Sequence, residues 1–334
     1  MNRRSFLAGM GCTPLIPTVT SCAKQQTIAE VPYGVIPKTT LGKTGMQVSR
    51  LGFGSHLKEE LVKHQDIRNR MIRTAFDRGV NFFDVYDHMG CNQFKPMNDT
   101  IHGFRKDVHI SLVSIKKTPE LQDEIDGTLK AFRTDYIDLF RLYSVDDDRI
   151  NIIEKNRKAG KIRAIGVVEH NVGAINGFID RYGDTLDFVM IIFNFHHNKA
   201  LLFKEQRDPA FTNDYSNMFP RIRRLNLGVV GMKPMGSDAM IDLAKEKHFF
   251  REKSANIAQA MLRYVYQQPE IHTTIPAMNS IGELSVNLES IYRPSLSPEG
   301  KRLLDRLSVT AASMKSAYLP SRYRFLENWA SRTS

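Results

Sequence analysis

Asp84 ends a run that is apolar but for Asn81, Val80-Asn81-Phe82-Phe83-Asp84, and a loop rich in proton-exchanging groups follows: Tyr86, Asp87, His88, then Met89, Gly90 and Cys91. A carboxylate at the carboxyl end of a buried strand, next to phenol and imidazole groups, is how an α/β barrel presents acid–base chemistry. Later in the chain, Arg141 and Tyr143 stand two residues apart at the end of YIDLFRLY (136–143). Strand alternation points both the same way. If that face is interior, Arg141 neutralises Asp84, whose unpaired charge would be costly there, and Tyr143 becomes a candidate proton donor. The competing readings are an exposed arginine on a loosely defined strand end and, for Tyr86 and His88, a polar loop over a barrel mouth. His196 and His197 are adjacent, so their side chains diverge, and no carboxylate partner is identifiable; they read as a surface loop, and no metal site is expected.

These residues need a scaffold, and 334 residues with 42% hydrophobic and 25% charged content suit one large α/β unit. Nothing approaches the roughly 18 consecutive apolar residues of a membrane span. The net charge of +11 reads as a solvated basic surface, since there is no nucleic-acid motif and no run of five basic residues. The three cysteines, Cys12, Cys22 and Cys91, fit neither a disulfide framework nor a metal site.

Residues 2–7, NRRSFL, resemble a twin-arginine (Tat) export signal, followed by the mildly apolar AGMGCTPLIPTVTS. Val19-Thr20-Ser21-Cys22 then resembles a bacterial lipobox, which makes Cys22 the expected lipidation site; an ordinary signal with a chance cysteine is the alternative. Removing residues 1–22 takes away Arg3 and Arg4 and leaves a net charge of +9. The expected organisation is a signal over 1–22, a tether over 23–38 and a barrel over 39–334. The expected location is periplasmic or at the cell surface, with the membrane reached through the lipid anchor alone.

From Thr39 onward the pattern is strand, loop, helix, repeated. A hairpin around Lys43-Thr44-Gly45 leads to a first strand near 48–53. Ile67, Met71, Ile72, Ala75 and Phe76 recur at helical spacing and Gly79 stops that helix. Strands follow at 80–84, 108–115, 136–143, 163–168, 187–195, 227–236 and 271–278. Helices are expected over 120–132, 150–159, 172–182, 256–267, 280–291 and 298–314. Eight strands alternating with helices imply a (β/α)8 TIM barrel with its helices outside.

LGKTGMQVSRLGFG, FDRGVNFFD, TDYIDLF, GKIRAIGV, VVGMKPMG and IPAMNSIGELSVNL, in that order over about 39–312, resemble the aldo/keto reductase family. The resemblance implies NADP(H) bound at the carboxyl end of the barrel and hydride transfer to a carbonyl, with a tyrosine as proton donor beside an aspartate, a lysine and a histidine. On that pattern Asp84 keeps the aspartate. Met89 stands at the tyrosine position, Val113 at the lysine position and Tyr143 at the histidine position. A thioether cannot donate a proton. The nicotinamide end is altered too: Val168-Glu169 replace a Ser-Asn pair, Met190 replaces a glutamine, and Phe193 stands for a tyrosine, so that only a ring stack on Phe193 would survive. The implied cofactor contacts that remain are Asn194, Lys233, Asn279, Glu283 and Asn287. Asn279 in place of a basic residue weakens any preference for NADP over NAD.

The expectation is an exported barrel with a largely substituted tetrad: a pseudo-reductase, or a barrel that binds a small-molecule ligand in its mouth. The alternative is a divergent NAD(P)H-dependent oxidoreductase acting on a carbonyl through relocated groups such as Tyr143.

Overall fold

The computed structural model describes residues 34–54, 64–85, 94–114, 116–196, 215–236 and 254–313. The loop from Tyr86 to Gln93, with Met89 in it, and His197 lie outside the described residues, as does the leader with Cys22. Seven parallel strands form one sheet in sequence order: β3 (Phe82–Val85), β4 (His109–Ser114), β5 (Ile137–Leu142), β6 (Ile162–Glu169), β7 (Phe188–Ile192), β8 (Gly228–Met232) and β9 (Thr273–Ile275). The segment from Arg50 to Gly54 fills the eighth place. It bonds to β9 through Gly52 N to Thr274 O (2.8 Å) and to β3 through Asp84 N to Phe53 O (2.9 Å). Parallel bridges from Leu51 to Thr274 and from Phe53 to Phe83 complete the (β/α)8 barrel.

Helices cross over between strands: α1 (Gln65–Asp77), α2 (Phe94–Ile101), α3 (Leu121–Phe132), α4 (Asp147–Lys158), α5 (Val172–Tyr182), α6 (Met218–Leu225), α7 (Ser254–Tyr266), α8 (Ile281–Tyr292) and α9 (Pro298–Ser313). Alternation along each strand sorts side chains into two layers. Phe83, Ile110, Leu112, Phe140, Ile165, Val167, Val189 and Val229 pack outward with helix residues such as Met71, Ile125, Ile153, Ile175 and Leu262. Phe82, Val113, Leu139, Ala164, Val168, Phe188, Met190, Val230, Met232 and Ile275 pack inward with one another and with no helix residue. These strands are therefore apolar on both faces, as covered parallel sheets require.

The amino-terminal end of the barrel is plugged by an antiparallel hairpin, β1 (Lys38–Thr40) and β2 (Gln47–Ser49). Its Leu41 and Val48 join the interior cluster and are fully buried. Gly42 has φ +49° because its backbone lies directly on the 226–228 turn, with Lys43 N to Asn226 O at 2.6 Å. Ile36 is already buried against Gly79. The helices α2 and α6 were not visible to the sequence reading. The other elements lie within a few residues of expectation.

Candidate functional site

Asp84 shares the inward parity of Phe82, Ser111 that of Val113, and Arg141 and Tyr143 that of Leu139. Parallel register places Asp84 beside Ser111 and Val113 beside Arg141. The Arg141 guanidinium reaches back across β4, donating from Nη1 to Ser111 Oγ (2.5 Å) and from Nη2 to Asp84 Oδ1. Arg141 is 2% exposed and Asp84 7%. The expected Asp84–Arg141 pair is thus present, on the interior face.

Arg68 belongs to the same cluster and the sequence reading missed it. It lies on the core face of α1 with Met71, Ile72 and Ala75, is 1% exposed, and sits with its guanidinium 4.7 Å from the Phe53 ring centroid. Burial lowers its pKa to about 9, against the pull of the Asp84 charge. The signal was available: position 68 falls on the buried side of the same helical period, where an arginine is unusual without a carboxylate within reach.

Two residues beyond Arg141, on the same inward face and nearer the rim, stands Tyr143. Its hydroxyl lies 2.8 Å from Nδ1 of His170, with the rings edge to face. Burial, and secondarily the positive charge of Lys233, push the His170 pKa well below its ordinary value, so the imidazole is neutral. His170 continues the inward parity of Gly166 and Val168. The sequence reading ended that strand at Val168, whereas β6 runs on to Glu169 and carries His170 into the mouth.

The floor of the mouth is aliphatic. Val113, Val168, Met190 and Met232 are all inward and between 2% and 8% exposed. None offers a carboxamide more than the weak acceptor of a thioether. Phe193 corrects an expectation. It is not a ring at the mouth but turns outward, 3% exposed, into an aromatic cluster with Tyr215, Phe219 and Tyr264. The residue follows the end of β7 with the parity of Val189 and Ile191, so alternation carries it to the helix layer. His196 is also no surface residue: it is 5% exposed and its Nδ1 lies 2.7 Å from Ser308 Oγ of α9.

The family-implied cofactor contacts divide. Asn194 is buried and braces the next loop, donating to Lys233 O (3.2 Å) and accepting from His196 N (2.8 Å). Lys233 is half-buried and has φ +53°, a conformation that costs energy outside glycine and clusters at sites. Glu283 caps α8: its carboxylate accepts from Asn279 N (2.7 Å), while Ser280 Oγ accepts from Glu283 N (3.1 Å). Asn287 is 2% exposed and its Nδ2 has no hydrogen-bond partner among the described residues. A buried orphan donor suits a ligand acceptor. Among the described residues, the contacts the resemblance implies thus reduce to one buried orphan donor, Asn287, and the Lys233 loop, while the positions implied for the nicotinamide carboxamide, Val168 and Met190, are apolar. Among the described residues no three His, Cys, Asp or Glu side chains converge as a metal site would require.

The barrel, the plugged floor and the polar mouth define the class, and sequence comparison gives the family. The Aldo/keto reductase family matches residues 50–308, and the chain belongs to it. L-galactose dehydrogenase of Arabidopsis thaliana is 20% identical over 84% of this chain and 96% of its own. Probable aldo-keto reductase 1 of Glycine max is 22% identical over 77% and 84%. Among solved structures, aldo-keto reductase AKR11C1 from Bacillus halodurans superposes with a TM-score of 0.63 in its holo form, at 18% identity, covering 87% of this chain and all of that one.

Proposed function

We propose that this chain is an aldo/keto reductase-family barrel in which the family's usual proton relay no longer operates, and whose mouth binds a small ligand. The observation that carries this reading is the Asp84–Arg141–Ser111 cluster with aliphatic Val113 beside it. The aspartate that would support a lysine and a tyrosine is instead committed to a guanidinium. An arginine stays protonated throughout the neutral range and is a poor proton relay. The aliphatic floor also leaves a nicotinamide carboxamide without partners, at roughly 1 kcal/mol per missing bond. We further place the protein outside the cytoplasm, exported through its twin-arginine leader and anchored by acylation of Cys22.

The test is nucleotide binding and turnover with the purified chain lacking its leader. The reading expects no carbonyl reduction with NADPH or NADH across a panel of aldehydes and ketones. Any nucleotide affinity should come from Asn287 and the Lys233 loop, and show as a small rise in melting temperature. Robust turnover would overturn it.

One observation favours a second reading, a divergent carbonyl oxidoreductase. Tyr143 has a neutral histidine at hydrogen-bond distance and could serve as a relocated donor. That reading requires turnover that is lost in Tyr143→Phe and reduced in His170→Phe.

A further inference from the structure

The direction in which the barrel faces the membrane follows from where its chain enters. We infer that the floor of the barrel docks on the bilayer surface and that the mouth opens away from it; this rests on the reading of Cys22 as the anchor. The described part of the amino-terminal segment is fastened to the floor. Ile36 packs on Gly79, in the turn before β3. Thr39 Oγ1 donates to His272 O (2.9 Å), just before β9, and Lys43 N to Asn226 O (2.6 Å), just before β8. Each of these partners precedes a barrel strand, so all lie at the end opposite the mouth.

Twelve residue steps separate Cys22 from Gly34, the first described residue, and a chain of that length spans at most about 40–43 Å. The 16-residue α9 alone runs about 24 Å along the side of the barrel, before loops are added at either end. Placing the mouth on the bilayer would consume more than half of the reach of the tether, whereas placing the floor there consumes almost none.

Charge on the floor agrees. Lys38, Lys43, Arg78, Lys106, Arg133 and Lys158 are exposed in the hairpin, at helix ends and in the turns before strands, against exposed Asp77, Asp107, Asp135 and Asp184 in the same places. Helix carboxyl ends favour cations on their own account, but Lys38, Lys43 and Lys106 stand on the hairpin and on a 3-10 turn, at no α-helix end. A basic face on a short tether fits anionic headgroups, whose attraction is felt within about a Debye length.

The experiment uses the full-length chain, acylated in a bacterial host, with Cys91→Ser and a single new cysteine at either Lys106→Cys on the floor or Lys117→Cys on the mouth side, both exposed. After reconstitution into phosphatidylethanolamine–phosphatidylglycerol vesicles, a fluorophore on each cysteine is quenched by headgroup-labelled lipid. The expected result is at least threefold stronger quenching at 106 than at 117, reduced by Arg133→Glu with Lys158→Glu. Equal or reversed quenching overturns the orientation. Cys22→Ser, run beside it, should release the protein from membranes; if it stays bound, the anchor reading itself fails, whatever the quenching shows.

Discussion

The floor and the mouth of this barrel are made by the same strands and solve opposite problems. The floor is closed by fit: Leu41 and Val48 fill the interior and Gly42 lies against the 226–228 backbone. The mouth keeps charge where apolar contact would be cheaper: Asp84, Arg141 and Arg68 in one group, Tyr143, His170 and Lys233 in a second. The two buried aspartates among the described residues, on β3 and β5, make the contrast sharper. Asp138, near the floor, points outward and is met by Arg105 (2.8 Å), Arg163 (3.4 Å) and Ile110 N (3.1 Å). Asp84 points inward at the mouth. A buried carboxylate is therefore not in itself the mark of a site; its direction relative to the barrel wall is.

The floor should be the less forgiving region. In Gly42→Val the new Cβ would fall within 2.5 Å of Asn226 O, on a residue held at φ +49°. We expect a loss of more than about 3 kcal/mol by urea unfolding. Gly45, at φ +72° with nothing within 4 Å of its Cβ position, is the control: Gly45→Ala should cost about 1 kcal/mol. If the two cost the same, the hairpin does not plug the barrel as described.

At the mouth, Arg141→Met leaves Asp84 buried without its main counter-charge and should cost about 3–5 kcal/mol. Asp84→Asn with Arg141→Met should recover most of that loss, because the two groups offset one another. A single substitution costing under about 1 kcal/mol, with no coupling in the double-mutant cycle, would show that the pair contributes little. The same register carries a consequence for engineering: a lysine installed by Val113→Lys would face Arg141 directly, so restoring a family-type relay requires changing Arg141 as well.

The sequence carried much of this mouth, for identifiable reasons. Alternation along 136–143 sufficed to place Arg141 and Tyr143 on one face and to pair Arg141 with Asp84, since a period of two leaves little freedom once the interior face is known. Strand ends were the weak point. Ending β6 at Val168 hid His170, and extending the 187–195 strand without following its parity left Phe193 at the mouth rather than among Tyr215, Phe219 and Tyr264. Arg68 was missed because a helical period was matched only to apolar residues. α6 was missed because MFPRIRRL carries a proline and three arginines in eight residues, and only Met218 and Ile222 are fully buried, with Phe219 and Leu225 partly so.

The mouth should also respond to acid, a response the floor shares in part. The His170 pKa is depressed in the folded chain, so below about pH 6.5 the unfolded chain takes up a proton that the folded chain refuses. Stability contributed here is complete above that pH and falls as pH drops through the window beneath it, by up to about 1.4 kcal/mol per unit. His272, at the floor, is lowered as well and shares the window. His170→Phe should therefore flatten, without abolishing, the decline in melting temperature between pH 6.5 and 5. An unchanged slope would show that His170 titrates normally and that its environment is wetter than described.

The smallest effect separates structure from binding at the α8 amino terminus. Ser280→Ala removes an N-cap acceptor and should cost about 1 kcal/mol. Glu283→Gln keeps an oxygen for Asn279 N and should cost a few tenths. Neither should alter nucleotide affinity if Glu283 acts only as a cap, while Asn287→Leu, four residues on, should weaken any nucleotide binding with little loss of stability, because it removes a buried donor that no described group accepts. The discriminating result is Glu283→Gln. A change in nucleotide affinity beyond threefold at unchanged melting temperature would move that carboxylate from the cap to the ligand, and with it the boundary between the part of the mouth that holds the fold and the part that recognises something else.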